Sequence, residues 1–172
     1  MPRAFKQVDV FTNIAYRGNP LAVVLDGVGL TPAEMQSFTD WTNLSEATFL
    51  LPPEDPSADY KVRIFCPGRE LPFAGHPTLG SCHAWLESGG KPKREFIVQE
   101  CGVGLVKIRR DGDRLAFAAP PLKRPALCPR QKSSSSHGAW AFSATRSSIT
   151  PGATMDQTGA ASCSRRRSRY CR

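Results

Sequence analysis

Gly75-His-Pro-Thr-Leu-Gly-Ser-Cys-His-Ala-Trp-Leu-Glu87 is the stretch that decides the fold. It is small and apolar nearly all round, whereas a surface helix carries one apolar stripe and one polar face. A helix of this kind belongs in a core, and its Gly, Ser and Ala residues let neighbouring backbone come close. Pro77 suits the first turn, and Gly89-Gly90 ends the helix. The remaining elements have to be able to surround it.

Upstream, Lys6 to Thr12 places Val8 and Val10 on one face, a strand pattern. Arg17-Gly-Asn-Pro20 is a turn, and Leu21-Ala-Val-Val-Leu25 is a buried strand. Thr31-Pro32 opens a helix that runs to about Trp41, with Thr31 at the N-cap and Glu34 placed for a capping box. Ala47 to Leu51 is an apolar strand closed by Pro52-Pro53. Tyr60 to Phe65 alternates apolar and basic residues like a half-buried strand. Downstream, Glu95 to Val98, Val103 to Arg109 and Arg114 to Ala118 are strand-like. Asp111-Gly-Asp113 is a hairpin signal between the last two, and Gly102-Val-Gly104 is a tight turn without the third glycine of a dinucleotide fingerprint. The reading is an α+β fold over residues 1–122, with mixed or antiparallel strands around a buried helix from about His76 to Glu87.

The 172 residues change character after Pro125. Residues 1–125 hold 15 Lys/Arg against 14 Asp/Glu, whereas residues 126–172 hold 8 against 1, so the excess charge sits in the tail. That tail has ten Ser and only Leu127 and Ile149 among Leu, Ile and Val. With no periodic apolar face it buries too little to offset the entropy of folding, and residues 123–172 are expected to be a basic Ser/Arg-rich, irregular segment. Arg165-Arg-Arg167 lacks aromatic interleaving beyond Tyr170, which argues against nucleic-acid binding. No apolar run approaches the roughly 20 residues of a membrane span, and Asp9 and Asn13 interrupt the place of a secretory h-region. The six cysteines form no Cys-x-x-Cys pair, so free buried thiols, no metal site and a cytoplasmic location are expected.

Two constellations can carry chemistry. In Asn43-Leu-Ser-Glu-Ala-Thr-Phe-Leu-Leu51, apolar residues follow Glu46. A carboxylate drawn into such surroundings loses hydration, and its pKa rises toward the range useful for acid–base work. The alternative is an exposed Glu at a strand entrance. In Glu70-Leu-Pro-Phe-Ala-Gly-His-Pro-Thr78, free N–H groups at a helix start favour an anion such as a substrate carboxylate. His76 there can transfer a proton or donate a hydrogen bond, or else serve as a capping or core histidine.

Val8-Asp-Val-Phe-Thr12, Gly18-Asn-Pro-Leu-Ala-Val-Val24, Asn43-Leu-Ser-Glu46 and Gly75-His-Pro-Thr78 occur in the order and spacing of the PhzF-like (phenazine biosynthesis-like) family. The resemblance runs from about Phe5 to Pro121. It implies one of two similar halves, each a barrel-like sheet around a central helix as in diaminopimelate epimerase, with the active site between the halves. It also implies a cofactor-independent isomerase that shifts a proton on a small carboxylate-bearing substrate. Glu46 would be the acid/base, His76 would line the site, and Ser45 and the Gly75 backbone would touch substrate.

Beyond Pro125 the resemblance stops, and the Asp and Gly-Ser motifs of the family's second half find no match. The abrupt composition change fits a shifted reading frame after about residue 126. A half-site would leave Glu46 and His76 open to water and impair turnover. A non-catalytic interaction protein, or an inactive half-domain with a basic tail, is the runner-up. The face meant for a second half is expected to drive self-association.

Overall fold

The computed structural model describes residues 2–119 and the backbone of residues 140–143. In chain order the elements are β1 (Phe5–Val10), β2 (Asn19–Val24), α1 (Pro32–Thr42), β3 (Ala47–Leu51), β4 (Tyr60–Cys66), β5 (Arg69–Leu71), α2 (Gly75–Glu87), β6 (Ile97–Cys101), β7 (Gly104–Asp111), β8 (Arg114–Ala118) and β9 (Trp140–Ser143). The strands make one mixed sheet in the order β1-β2-β3-β4-β6-β7-β8-β9, with β5 paired on β4. The parallel neighbours are β2 with β3 and β4 with β6. Parallel neighbours need a crossover connection, and α1 and α2 supply the two crossovers.

Strands β1 and β8 lie far apart in the sheet order, yet α2 packs against both, as well as β2, β3 and β6. The sheet therefore curls around α2, and α1 packs outside it on β3 and β4. Strand β2 shows how the sequence serves both layers. Leu21 and Val23 join the inner cluster with Val8, Val10, Val62, Ile64 and Leu79. Ala22 and Val24 join the outer cluster with Met35, Phe49 and Phe65. A strand covered on both faces loses its alternation, hence the continuous apolar run.

Helix α2 has eight buried residues, from His76 through Ala84. Gly80 sits where a Cβ would fall 2.6 Å from Leu21 Cδ2 and 2.9 Å from Val10 Cγ2. The first sheet strands come that close only because this helix residue has no side chain. A buried polar chain fixes the same helix: Tyr60 Oη donates to Gln99 Oε1 at 3.0 Å, and Gln99 Nε2 donates to Thr78 Oγ1 at 3.2 Å. Thr78 Oγ1 in turn donates to the Ala74 carbonyl at 2.9 Å. Such a network is stable because each buried group finds a partner.

The α+β reading and the buried helix agree with this architecture. Thr31 and Glu34 form the reciprocal capping box on α1. Cys66, Cys82 and Cys101 are free and buried, and burial pushes the Cys82 thiol up to about 12. Two strands escaped the sequence reading. Strand β5 is a three-residue return on β4 after Pro67-Gly68, too short to show a period. Strand β9 pairs antiparallel with β8 inside a region read as irregular, where Trp140-Ala-Phe-Ser143 alternates aromatic and small residues. The Arg run, the Ser run and the expected domain boundary at residue 122 lie outside the described residues. Among the described residues no helix is long and apolar enough to cross a membrane.

Candidate active site

Three chain segments meet at one end of the sheet. Strands β2 and β3 run parallel with Ala22 opposite Ala47, which brings Asn19 and Glu46 to the same end. Helix α2 starts there too, with Ala74 as N-cap and His76 in the first turn. The chain enters β3 from α1 through Asn43, whose φ of 57° and ψ of 25° are left-handed. Asn tolerates that conformation better than most residues, and it turns the chain so that Glu46 directly precedes the strand.

His76 Nε2 stands 3.2 Å from Glu46 Oε2, with the side chains 9% and 18% exposed. Both atoms are buried, and their alignment does not make a hydrogen bond despite the short separation. Burial pushes the Glu46 carboxyl above its ordinary range. Burial also drops His76 to about 4, so the imidazole is neutral near pH 7. Desolvation thus outweighs the attraction that a fixed ion pair would supply, and the contact is a dehydrated carboxyl–imidazole pair rather than a salt bridge. The Glu46 carboxyl thus holds a proton more readily than an ordinary glutamate, the property acid–base chemistry requires.

Gly75 is the first residue of α2, and the Phe117 ring edge lies 3.3 Å from where its Cβ would be. Ala74 offers no side-chain cap, so the first N–H groups of the helix are left for another acceptor. Ser45 lies exposed beside Glu46. Glu46, His76 and Gly75 are therefore gathered at one place, with Ser45 on its rim.

Asn19 and Phe11 belong to the same place and were not singled out in the sequence. Asn19 Nδ2 lies 3.3 Å from His76 Nδ1. The Phe11 ring is 6.3 Å from the imidazole, tilted at 56°, and Phe11 is 52% exposed. Phe11 and Tyr16 both have left-handed φ, at 71° and 65°. In the sequence Asn19 reads as a turn residue and as part of the family motif Gly18-Asn-Pro-Leu-Ala-Val-Val24 with no site role, and its histidine contact depends on a pairing across the fold. Among the described residues no group of three or more His, Cys, Asp or Glu is placed to hold a metal ion.

Residues 8–161 match the family model described as "Phenazine biosynthesis-like protein", so the likeness runs past Pro125, where the motifs alone end it. Over 112 residues the chain is 54% identical to "Antisense-enhancing sequence 1" of Schizosaccharomyces pombe, covering 64% of this chain and 38% of that one. It is 48% identical over 112 residues to the trans-2,3-dihydro-3-hydroxyanthranilate isomerase of Pseudomonas fluorescens, covering 65% of this chain and 40% of the relative. The crystal structure of the Bacillus anthracis phenazine biosynthesis protein of the PhzF family superposes with a TM-score of 0.60 at 30% identity, over 68% of this chain and 40% of that one. The chain spans about two fifths of the length of these relatives. The family-model match, the several motifs in register and the sheet curled on a buried helix agree, and this chain belongs to the phenazine biosynthesis-like family.

Proposed function

We propose that Glu46 and His76 form one wall of a cofactor-independent isomerase site that moves a proton on a small, carboxylate-bearing substrate. The observation that carries this reading is the dehydrated Glu46–His76 contact at 3.2 Å beside the start of α2. Glu46 is the acid/base. The free N–H groups of Gly75 and His76 receive the substrate carboxylate, since a helix start concentrates positive potential and unpaired donors. Ser45, exposed beside Glu46, contacts substrate. The name of the Pseudomonas fluorescens relative suggests a dihydro-hydroxyanthranilate as a first substrate to try. The protein acts in the cytoplasm.

The test is proton exchange in D2O, followed by mass spectrometry of substrate and product. Deuterium entering substrate with the unmodified chain, and not with Glu46→Gln, supports the reading. Equal incorporation by the variant overturns it.

A second reading has its own observation. Phe11, Ile14 and Tyr16 are 52%, 62% and 90% exposed on the loop beside His76. This apolar rim suits an interaction surface through which copies of the chain self-associate. On this reading the chain is a non-catalytic interaction protein. The D2O experiment separates the two, because an interaction protein incorporates no deuterium.

A further inference from the structure

Asn19 meets His76 at the ring nitrogen that faces away from Glu46. Its Nδ2 lies 3.3 Å from Nδ1, while Nε2 faces Glu46 Oε2 at 3.2 Å. An amide nitrogen only donates, so the ring nitrogen it meets has to carry a lone pair. In a neutral imidazole the single proton then sits on the other nitrogen. The opposite arrangement would turn the amide oxygen to an Nδ1 proton and set the Nε2 lone pair against the lone pairs of Glu46 Oε2 at 3.2 Å whenever that carboxyl gives up its proton. That costs more than a neutral hydrogen bond returns.

We infer that Asn19 is a positioning residue that holds His76 in the Nε2-protonated tautomer, with its proton facing Glu46 and the substrate space.

The surroundings of Asn19 hold it to this task. It is the first residue of β2, opposite Val10 in the antiparallel register with β1. The preceding turn is tied by Arg17 N–H and Gly18 N–H, both donating to the Asp9 carboxylate at 3.1 and 3.2 Å. Pro20 follows and restricts the Asn19 backbone to extended conformations. The imidazole is itself buried in the first turn of α2, so neither partner is free to swing. The inference deepens the acid–base reading of the pair. It makes His76 a hydrogen-bond donor and leaves the base role to Glu46.

The experiment is long-range proton–nitrogen NMR on the full chain labelled with 15N-histidine. His76 is assigned by the signal lost in His76→Gln, since the chain has three histidines. The unmodified chain is expected to show one Nε2–H tautomer. Asn19→Asp places an acceptor at the same point and is expected to switch the ring wholly to Nδ1–H. Asn19→Leu offers neither donor nor acceptor and is expected to give a mixture. An Nδ1–H or mixed ring in the unmodified chain overturns the inference. So does an unchanged Nε2–H ring in either folded variant. If both variants fail to fold, the tautomer of the unmodified chain still decides. The readout needs no turnover. An unlocked ring therefore sinks the role of Asn19, while a locked ring without deuterium exchange sinks only the isomerase reading.

Discussion

Glu46 Oε2 and His76 Nε2 come to 3.2 Å from two different elements, a strand entrance and a helix start. Each is dehydrated by burial, so each is pushed toward its uncharged form. Replacing Glu46 by Gln keeps the shape and removes the titratable proton. Exchange of substrate protons in D2O is expected to fall by about 10²–10⁴-fold, the range of a lost general acid–base group. Circular dichroism should stay that of the unmodified chain.

Acid stability follows from the sign of the His76 shift. The unfolded chain takes up this proton near 6.5 and the folded chain only near 4. Below 6.5 the unfolded state therefore binds more protons, and stability drops as pH falls from 6.5 toward 4. The His76 contribution to that loss is on the order of 3 kcal/mol at 1.36 kcal/mol per pH unit. Glu46 acts in the opposite direction, because its raised folded pKa lets the native state take up a proton before the unfolded chain does. Urea unfolding at pH 7 and pH 4.5 should show a shallower acid loss in His76→Gln and a steeper one in Glu46→Gln.

Gly80→Ala tests the close approach of α2 to the first two strands. Alanine favours an exposed helix interior by about 1 kcal/mol over glycine. Here the new Cβ would meet Leu21 and Val10, both fully buried, at 2.6 and 2.9 Å. Overpacking of a full core costs about 1–3 kcal/mol, so the steric term wins. The variant should unfold at lower urea concentration with an unchanged denaturant slope.

Gln99→Met removes both polar ends of the chain that joins Tyr60 to Thr78. Tyr60 Oη loses the acceptor it holds at 3.0 Å inside the core. A loss of about 1–3 kcal/mol is expected from this buried group. Thr78 keeps its bond to the Ala74 carbonyl, so helix α2 should retain its start. Hydrogen exchange of amides in α2 and β6 would report the weakened packing.

Ending the chain at Lys123 removes β9 and leaves β8 as an open sheet edge. An unpaired edge is a template for another strand. The shortened chain should keep protected amides across residues 5–118 and should elute from size exclusion as larger species than the full chain. Ile14→Ser with Tyr16→Ser should reduce association of the full chain if the loop beside His76 is the sticky face. A monomeric shortened chain would show that β8 needs no cover.

Much of this protein is written in local sequence. The alternation of Tyr60 to Phe65, the Thr31–Glu34 box and the Asp111-Gly-Asp113 hairpin depend on near neighbours, and each forms where its residues place it. The small-residue make-up of Gly75 to Glu87 likewise announces a helix that other chain segments must cover. Motif order also sufficed to single out Glu46 and His76. Tertiary structure alone decided that the two stand 3.2 Å apart, that burial pushes each toward its uncharged form, and that Asn19 rather than a carboxylate meets the far side of the imidazole. Periodicity reports which face of an element is apolar, but says nothing of which side chains from distant elements share that face. Those partners are set by strand register and by the curl of the sheet around α2, and only the folded chain brings them within hydrogen-bond reach.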